Sequence, residues 1–177
     1  STQMDLMGLP VSPMAKINIH VGGAYGNHEL ALARFCQNFN RLKPSTQARL
    51  TVENDDKPAM FSTKMLVDGI SRRTGVPIVF DSHHHELGPQ DLDYHDAFYL
   101  ARETWHKRGI KQQCHHSNSR KNYEDPKANK VAHSDWYYTA FENYGESVDV
   151  VLECKMKELA LLKYVDDFLT DNRKQCA

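Results

Sequence analysis

The feature that most constrains the fold of this chain of 177 residues is a unit repeated five times, a short strand-like run followed by a helical stretch, at a period of about 28 to 38 residues. Lys16-Ile-Asn-Ile-His-Val-Gly-Gly alternates in character and ends in a glycine turn, and Ala48-Arg-Leu-Thr-Val-Glu-Asn-Asp repeats that pattern. Val76-Pro-Ile-Val-Phe-Asp-Ser-His, Ile110-Lys-Gln-Gln-Cys-His-His-Ser and Val148-Asp-Val-Val-Leu-Glu-Cys-Lys are apolar or mixed runs, each closing on His, Asp or Glu. Helical patterns fill the gaps. Leu32, Phe35, Phe39 and Leu42 recur at three- and four-residue steps, Ser62 is placed to cap a helix that Gly75 ends, and Tyr94, Ala97, Phe98, Ala101 and Trp105 form a stripe stopped by Gly109. Met156 to Leu169 is amphipathic too. Strand then helix, five times without a linker, predicts an α/β domain of parallel strands joined by helical crossovers.

Such architectures bind ligands at the carboxyl ends of their strands, whether the sheet is open or closed into a barrel. His20, Glu53, Asp81, His115 and Glu153 occupy those positions. A single His or Glu there is most often a satisfied core group, but that reading has to be invoked five separate times. His and carboxylates without cysteines among them favour divalent ions such as manganese or zinc. A single catalytic zinc uses about three protein ligands, whereas His20, Glu53, Asp81, His84, His115, His133 and Glu153 would serve several ions. Glu53 and Glu153 are placed to bridge cations, an inventory that suits phosphodiester hydrolysis. The run His83-His84-His85 has a competing reading as a solvated turn; within it His84, three residues after Asp81, is the best ligand. His28, His95 and His106 read as surface or packing residues of helices.

Composition narrows the class. With 40% hydrophobic and 25% charged residues the chain reads as one soluble globular domain, neither disordered nor collagenous. No apolar run approaches the roughly 20 residues of a membrane span, and Ser1-Thr-Gln-Met-Asp has neither the basic end nor the apolar middle of a signal peptide. An intracellular location is expected: the cytoplasm of a prokaryote or virus-infected cell, or a eukaryotic nucleus. Cys36, Cys114, Cys154 and Cys176 lack CxxC spacing and read as reduced packing thiols. A net charge of -1 does not advertise nucleic-acid binding, although bound divalent ions would add positive charge that a side-chain count omits.

Five segments in order, Ile17-Asn-Ile-His-Val-Gly-Gly-Ala-Tyr-Gly, Leu50-Thr-Val-Glu-Asn-Asp-Asp-Lys, Val79-Phe-Asp-Ser-His-His-His, Ala132-His-Ser-Asp and Val151-Leu-Glu-Cys-Lys-Met-Lys-Glu, resemble the UV damage endonucleases. The resemblance runs from about residue 15 to about residue 164. It implies a TIM (β/α)8 barrel related to endonuclease IV, with a three-metal cluster, usually manganese, at its mouth; zinc and magnesium are the other candidate ions. It also implies nicking of double-stranded DNA immediately 5′ to pyrimidine dimers, 6-4 photoproducts and some other lesions, leaving a 3′ hydroxyl and starting excision repair.

Carried over by motif, the metal ligands are the same seven residues. Only one of His115 and His116 can point inward, and His115 has the family's spacing to Ser117. Lys155, two residues after Glu153, is a phosphate contact if the strand continues and a surface lysine otherwise. Asp135 is a candidate to orient a ligand histidine. Gln113 stands where many family members carry a lysine that is modified at the metals, and a glutamine cannot become a carbamate; Lys111 is the nearest lysine. The length matches only strands four to eight of a barrel that takes about 250 residues, with residues 1 to 14 as the tail of the preceding crossover. The leading reading is therefore the C-terminal part of a metal-dependent repair nuclease, with Glu53, Glu153 and Lys155 as its catalytic candidates. Two others compete: a metal-dependent sugar isomerase, and a half barrel that binds metal weakly or needs a partner segment or chain to cover its edges.

Overall fold

All five expected strands form: β1 (Ile17–Ile19), β2 (Leu50–Glu53), β3 (Ile78–Asp81), β4 (Gln113–His116) and β5 (Asp149–Leu152). The computed structural model describes residues 1–170, so Cys176 lies outside the described residues. The strands stand in sequence order and every neighbouring pair is parallel. The helices are α1 (Thr2–Leu6), α2 (His28–Phe39), α3 (Pro44–Arg49), α4 (Thr63–Leu66), α5 (Arg72–Thr74), α6 (Ser82–Leu87), α7 (Tyr94–His106), α8 (Arg120–Tyr123) and α9 (Lys157–Tyr164). π-helical turns at Val67–Ser71 and Val165–Leu169 join α4 to α5 and extend α9. None of these helices is long and apolar enough to cross a membrane.

The boundaries follow local chemistry. Ser62 accepts a hydrogen bond from the Met65 amide at the start of α4, and Gly75 ends α5 in the left-handed region at φ 73°, where only glycine avoids a Cβ clash. Asn27 and Asp93 cap α2 and α7 in the same way as Ser62 caps α4. The expected stripe on α2 runs one step too far: the helix ends at Phe39, and Leu42 lies beyond it, partly exposed.

Alternation along the strands sorts two faces. Leu50, Val52, Ile78, Phe80 and Cys114 pack outward against helical Leu66, Ile70, Phe98 and Ala101, all buried. Trp105 donates its indole N–H to the Ile78 carbonyl at 2.7 Å, and Thr104 accepts from the Ile78 amide at 2.9 Å, so α7 holds the start of β3. The other face carries Asn18, Thr51, Glu53, Val79, Asp81, Gln113 and His115. It is concave: Glu53 at the end of β2 reaches His115 on β4, although β3 lies between those two strands.

Arg49, fully buried before β2, ties down the first ten residues. Its guanidinium donates to the carbonyls of Ser1, Leu9 and Pro10, to the Ser1 hydroxyl and to the Asp5 carboxylate. β1 and β5 are the two edges of the sheet. An apolar cleft of about 360 Å³ lies beside β1 and α2, lined by Ile19, Phe35, Phe39 and Leu42 among others, and a cleft of about 740 Å³ with a mixed apolar and charged lining lies beside β5 and α9.

Candidate metal centre

The carboxyl ends of the strands bring six of the seven expected ligands into one chain of contacts. Glu53 is at its middle: Oε1 lies 3.2 Å from His84 Nδ1 and 3.3 Å from His115 Nδ1, while Oε2 faces His20 Nε2 at 3.9 Å. His115 Nδ1 is also 3.2 Å from Glu153. Two sets of three donors, His20, Glu53 and His84, and Glu53, Asp81 and His115, each fall within 4.8 Å and share Glu53. The seventh residue, His133, reaches the same mouth from the loop before β5, where it bridges to Ser119 and its Nδ1 donates to the Glu153 carbonyl at 2.9 Å. Its ring lies edge-on to His84 at 6.1 Å.

Asp81 does two jobs that one residue can do only at a strand-to-helix junction. Oδ1 accepts the His84 amide at 2.7 Å and caps α6; Oδ2 is fully buried and accepts nothing. A buried carboxylate oxygen without a donor is costly unless a cation or another donor meets it. The Nδ1 of His115 likewise has no well-formed hydrogen bond. Oxygen and imidazole donors from Glu53, Asp81, His84 and His115 form a set suited to divalent ions of the manganese and zinc type, so the residues fit the expected metal.

The protonation pattern supports that fit. Burial pushes the His84 imidazole down, but its hydrogen bond to Glu53 and the charges of Asp81 and Glu53 outweigh this and raise it to about 9. Burial likewise opposes His115, and the Glu153 and Glu53 carboxylates beside its ring raise it to about 10. Burial pushes Glu53 up, yet the His115 and His84 imidazoles against its carboxylate hold it well below the usual carboxylate range. Asp81 is pushed up by burial, which His84 only partly offsets. The directions of these shifts show that the carboxylates favour positive charge among them, which a divalent cation would supply in place of protons.

Several supporting residues were not singled out from the sequence. Asn18 donates to Glu53 and accepts from Thr51. Asn54 clamps β2 to β3, accepting from the Asp81 amide at 2.9 Å and donating to the Asp81 carbonyl at 3.0 Å, while its own carbonyl accepts from His84 Nδ1. Asp55 meets His20 Nδ1 at 3.3 Å, and this hydrogen bond, only partly opposed by burial, raises His20. The signal was present for Asn18, which lies two residues before His20 and so on the same strand face; Asn54 and Asp55 sit past the strand end, where alternation fails. Gly88 lets this corner close, since a Cβ there would stand 2.5 Å from the Asp55 carbonyl oxygen.

Other expected residues lie elsewhere. His116 faces outward, between Ser82 Oγ at 2.8 Å and the Thr139 carbonyl at 3.0 Å. The triplet is not a solvated turn: His83, His84 and His85 are all buried in α6, because Asp81 turns the chain inward as it caps the helix. Asp135 does not orient His133; it faces Arg120 at 3.6 Å, and the partner of His133 is a backbone carbonyl. β5 ends at Leu152, so Lys155 lies in a turn, exposed, beside Glu153 and His133 in the cleft at that edge. Gln113 is buried with its amide nitrogen 3.0 Å from His115 Nε2, and Lys111 is paired with Asp149 before β4 begins. His28 contacts Phe61 at the start of α2, and His95 is exposed on α7.

A parallel β/α sheet whose strand ends converge on two carboxylate-bridged donor sets defines a barrel-type protein with a metal-competent mouth. Comparison with known proteins narrows that class. The signature of one family, UV-endonuclease UvdE, matches residues 1–175, and the chain belongs to that family. It is 35% identical over 162 residues to the UV DNA damage endonuclease of Bacillus pumilus (strain SAFR-032), covering 85% of this chain and 48% of that one. Identity to the UV DNA damage endonuclease of Bacillus velezensis is 32% over 175 residues, covering 93% and 51%. The crystal structure of SacUVDE superposes with a TM-score of 0.77 at 32% identity, covering 96% of this chain and 55% of that one. The chain thus spans about half the length of the curated relatives it matches, and its sheet is a half-barrel.

Proposed function

We propose that this chain carries the strand-end half of a divalent-metal centre that hydrolyses the DNA backbone 5′ to UV photoproducts, the first step of an excision repair. The observation that carries this reading is the pair of donor sets sharing Glu53, with Asp81 Oδ2 left without a donor beside them. His20, Glu53, Asp81, His84, His115, His133 and Glu153 would hold the ions, manganese first among the candidates. Bound there, such ions would activate water and stabilise both oxygens of an in-line phosphoryl displacement.

The remaining residues organise the site. The Asn18 amide fixes one oxygen of Glu53 and leaves the other turned toward His84 and His115. Asp55 occupies His20 Nδ1, which leaves Nε2 facing Glu53. The Gln113 side-chain amide occupies His115 Nε2 at 3.0 Å, so Nδ1 is the ring nitrogen that faces the centre. This arrangement replaces the lysine of many family members with a tether and supplies no extra bridge. Lys155, exposed next to Glu153, is the cation placed to meet a DNA phosphate. The clefts beside β1 and β5 would take the other half of the barrel, on the same polypeptide or on a partner.

The test is nicking of a UV-irradiated supercoiled plasmid by the folded chain with manganese, against an unirradiated plasmid and a chelated sample. Damage-dependent nicking that the chelator removes is expected. A folded, metal-loaded chain that leaves irradiated plasmid intact would contradict the reading for this chain.

A further inference from the structure

Among the described residues, His83 is the buried side chain with two unpaired polar atoms. It is 1% exposed, and neither ring nitrogen has a hydrogen-bond partner. The Val131 backbone faces the ring without completing a hydrogen bond. A buried imidazole with two unpaired nitrogens is worse for folding than a phenyl ring of similar size, because both nitrogens have lost water and gained nothing. Groups of this kind are retained where something outside the chain meets them. The surroundings say what that is. The His83 ring lies 5.2 Å from that of His133, at 69°, and 6.2 Å from that of His84.

A cation bonded at about 2.1 Å to two imidazoles at a tetrahedral angle sets their ring centroids roughly 5 Å apart. His83 and His133 already stand at that spacing, and each has a ring nitrogen to give: His133 uses Nδ1 on the Glu153 carbonyl and keeps Nε2, and His83 keeps both. We propose that His83 is a further ligand of the centre, sharing one divalent cation with His133. This rests on the reading of the cluster as a metal centre.

The test separates a ligand from a packing residue by moving stability and metal binding in opposite directions. His83→Phe and His83→Leu are compared with the unsubstituted chain by metal-free thermal melting, by manganese titration calorimetry and by the visible absorption of bound cobalt. The expected result is a metal-free melting temperature equal to or above that of the unsubstituted chain, with manganese affinity reduced about tenfold or more and a changed cobalt spectrum. A folded variant with unchanged affinity and spectrum would overturn the proposal and leave the metal centre standing. A melting temperature lowered in both variants, or loss of folding, would also overturn it, since the ring would then be serving the fold. An unsubstituted chain that binds neither manganese nor cobalt would overturn the proposal and the metal-centre reading together.

Discussion

Glu53→Gln is expected to weaken divalent-cation binding by about 100-fold or more, beyond what loss of a supporting residue produces, and to abolish chelator-sensitive nicking while the metal-free fold persists. Glu53 is the one residue common to both donor sets, so its neutralisation removes an anionic donor from each. The fold should survive because the glutamine carbonyl can still accept from Asn18, and Val52, the residue that anchors β2 in the core, is untouched. Manganese titration calorimetry with circular dichroism checks this. Retention of near-normal affinity by the variant would place the cation away from Glu53.

The second large effect lies at the other end of the strands. Arg49→Ala is expected to cost about 3 kcal/mol of stability and to expose the first ten residues to protease. Truncating a fully buried arginine leaves the carbonyls of Leu9 and Pro10 without their donor and the segment without its anchor. The pH dependence has a definite sign. The hydrogen bond from Arg49, partly opposed by desolvation, holds the Asp5 carboxyl below its usual value. A carboxylate depressed by folding stabilises above its unfolded pKa of about 4 and ceases to as pH falls through the folded value. The gap between the two chains in urea melts should therefore narrow as pH drops below about 4. Equal melts at pH 7 with equal protease resistance would show that the N-terminal segment docks without Arg49.

The contrast between these two sites explains what could be read in advance. β-strands repeat every two residues, so a ligand-type residue closing a run such as Val79-Phe-Asp declares both its height and its face. That is why Glu53, Asp81 and His115 were legible, and why His115 could be preferred to His116. Asp81 also shows where legibility stops. Its role as the cap of α6 decides that His83 and His85 go inward with His84, and a capping hydrogen bond is visible only once the chain has turned. Asn54 and Asp55 act past the end of β2, where neither the strand nor the helix period holds. Asp135 and Lys155 were placed by proximity in sequence to His133 and Glu153, but the loop pairs Asp135 with Arg120, and the turn after β5 breaks the alternation that would have carried Lys155 inward. Arg49 reads from its neighbours as an ordinary basic residue at a helix end; its burial depends on residues 39 to 48 positions earlier.

The central claim is that Glu53 joins two cation positions. Crystals of the manganese-loaded chain, measured by anomalous diffraction at the manganese edge, test it most directly. Peaks are expected on both sides of Glu53, one within bonding reach of His20 and His84 and one within reach of Asp81 and His115. Peaks confined to the exposed group Asp93, His95 and Asp96, or none near Glu53, would contradict it.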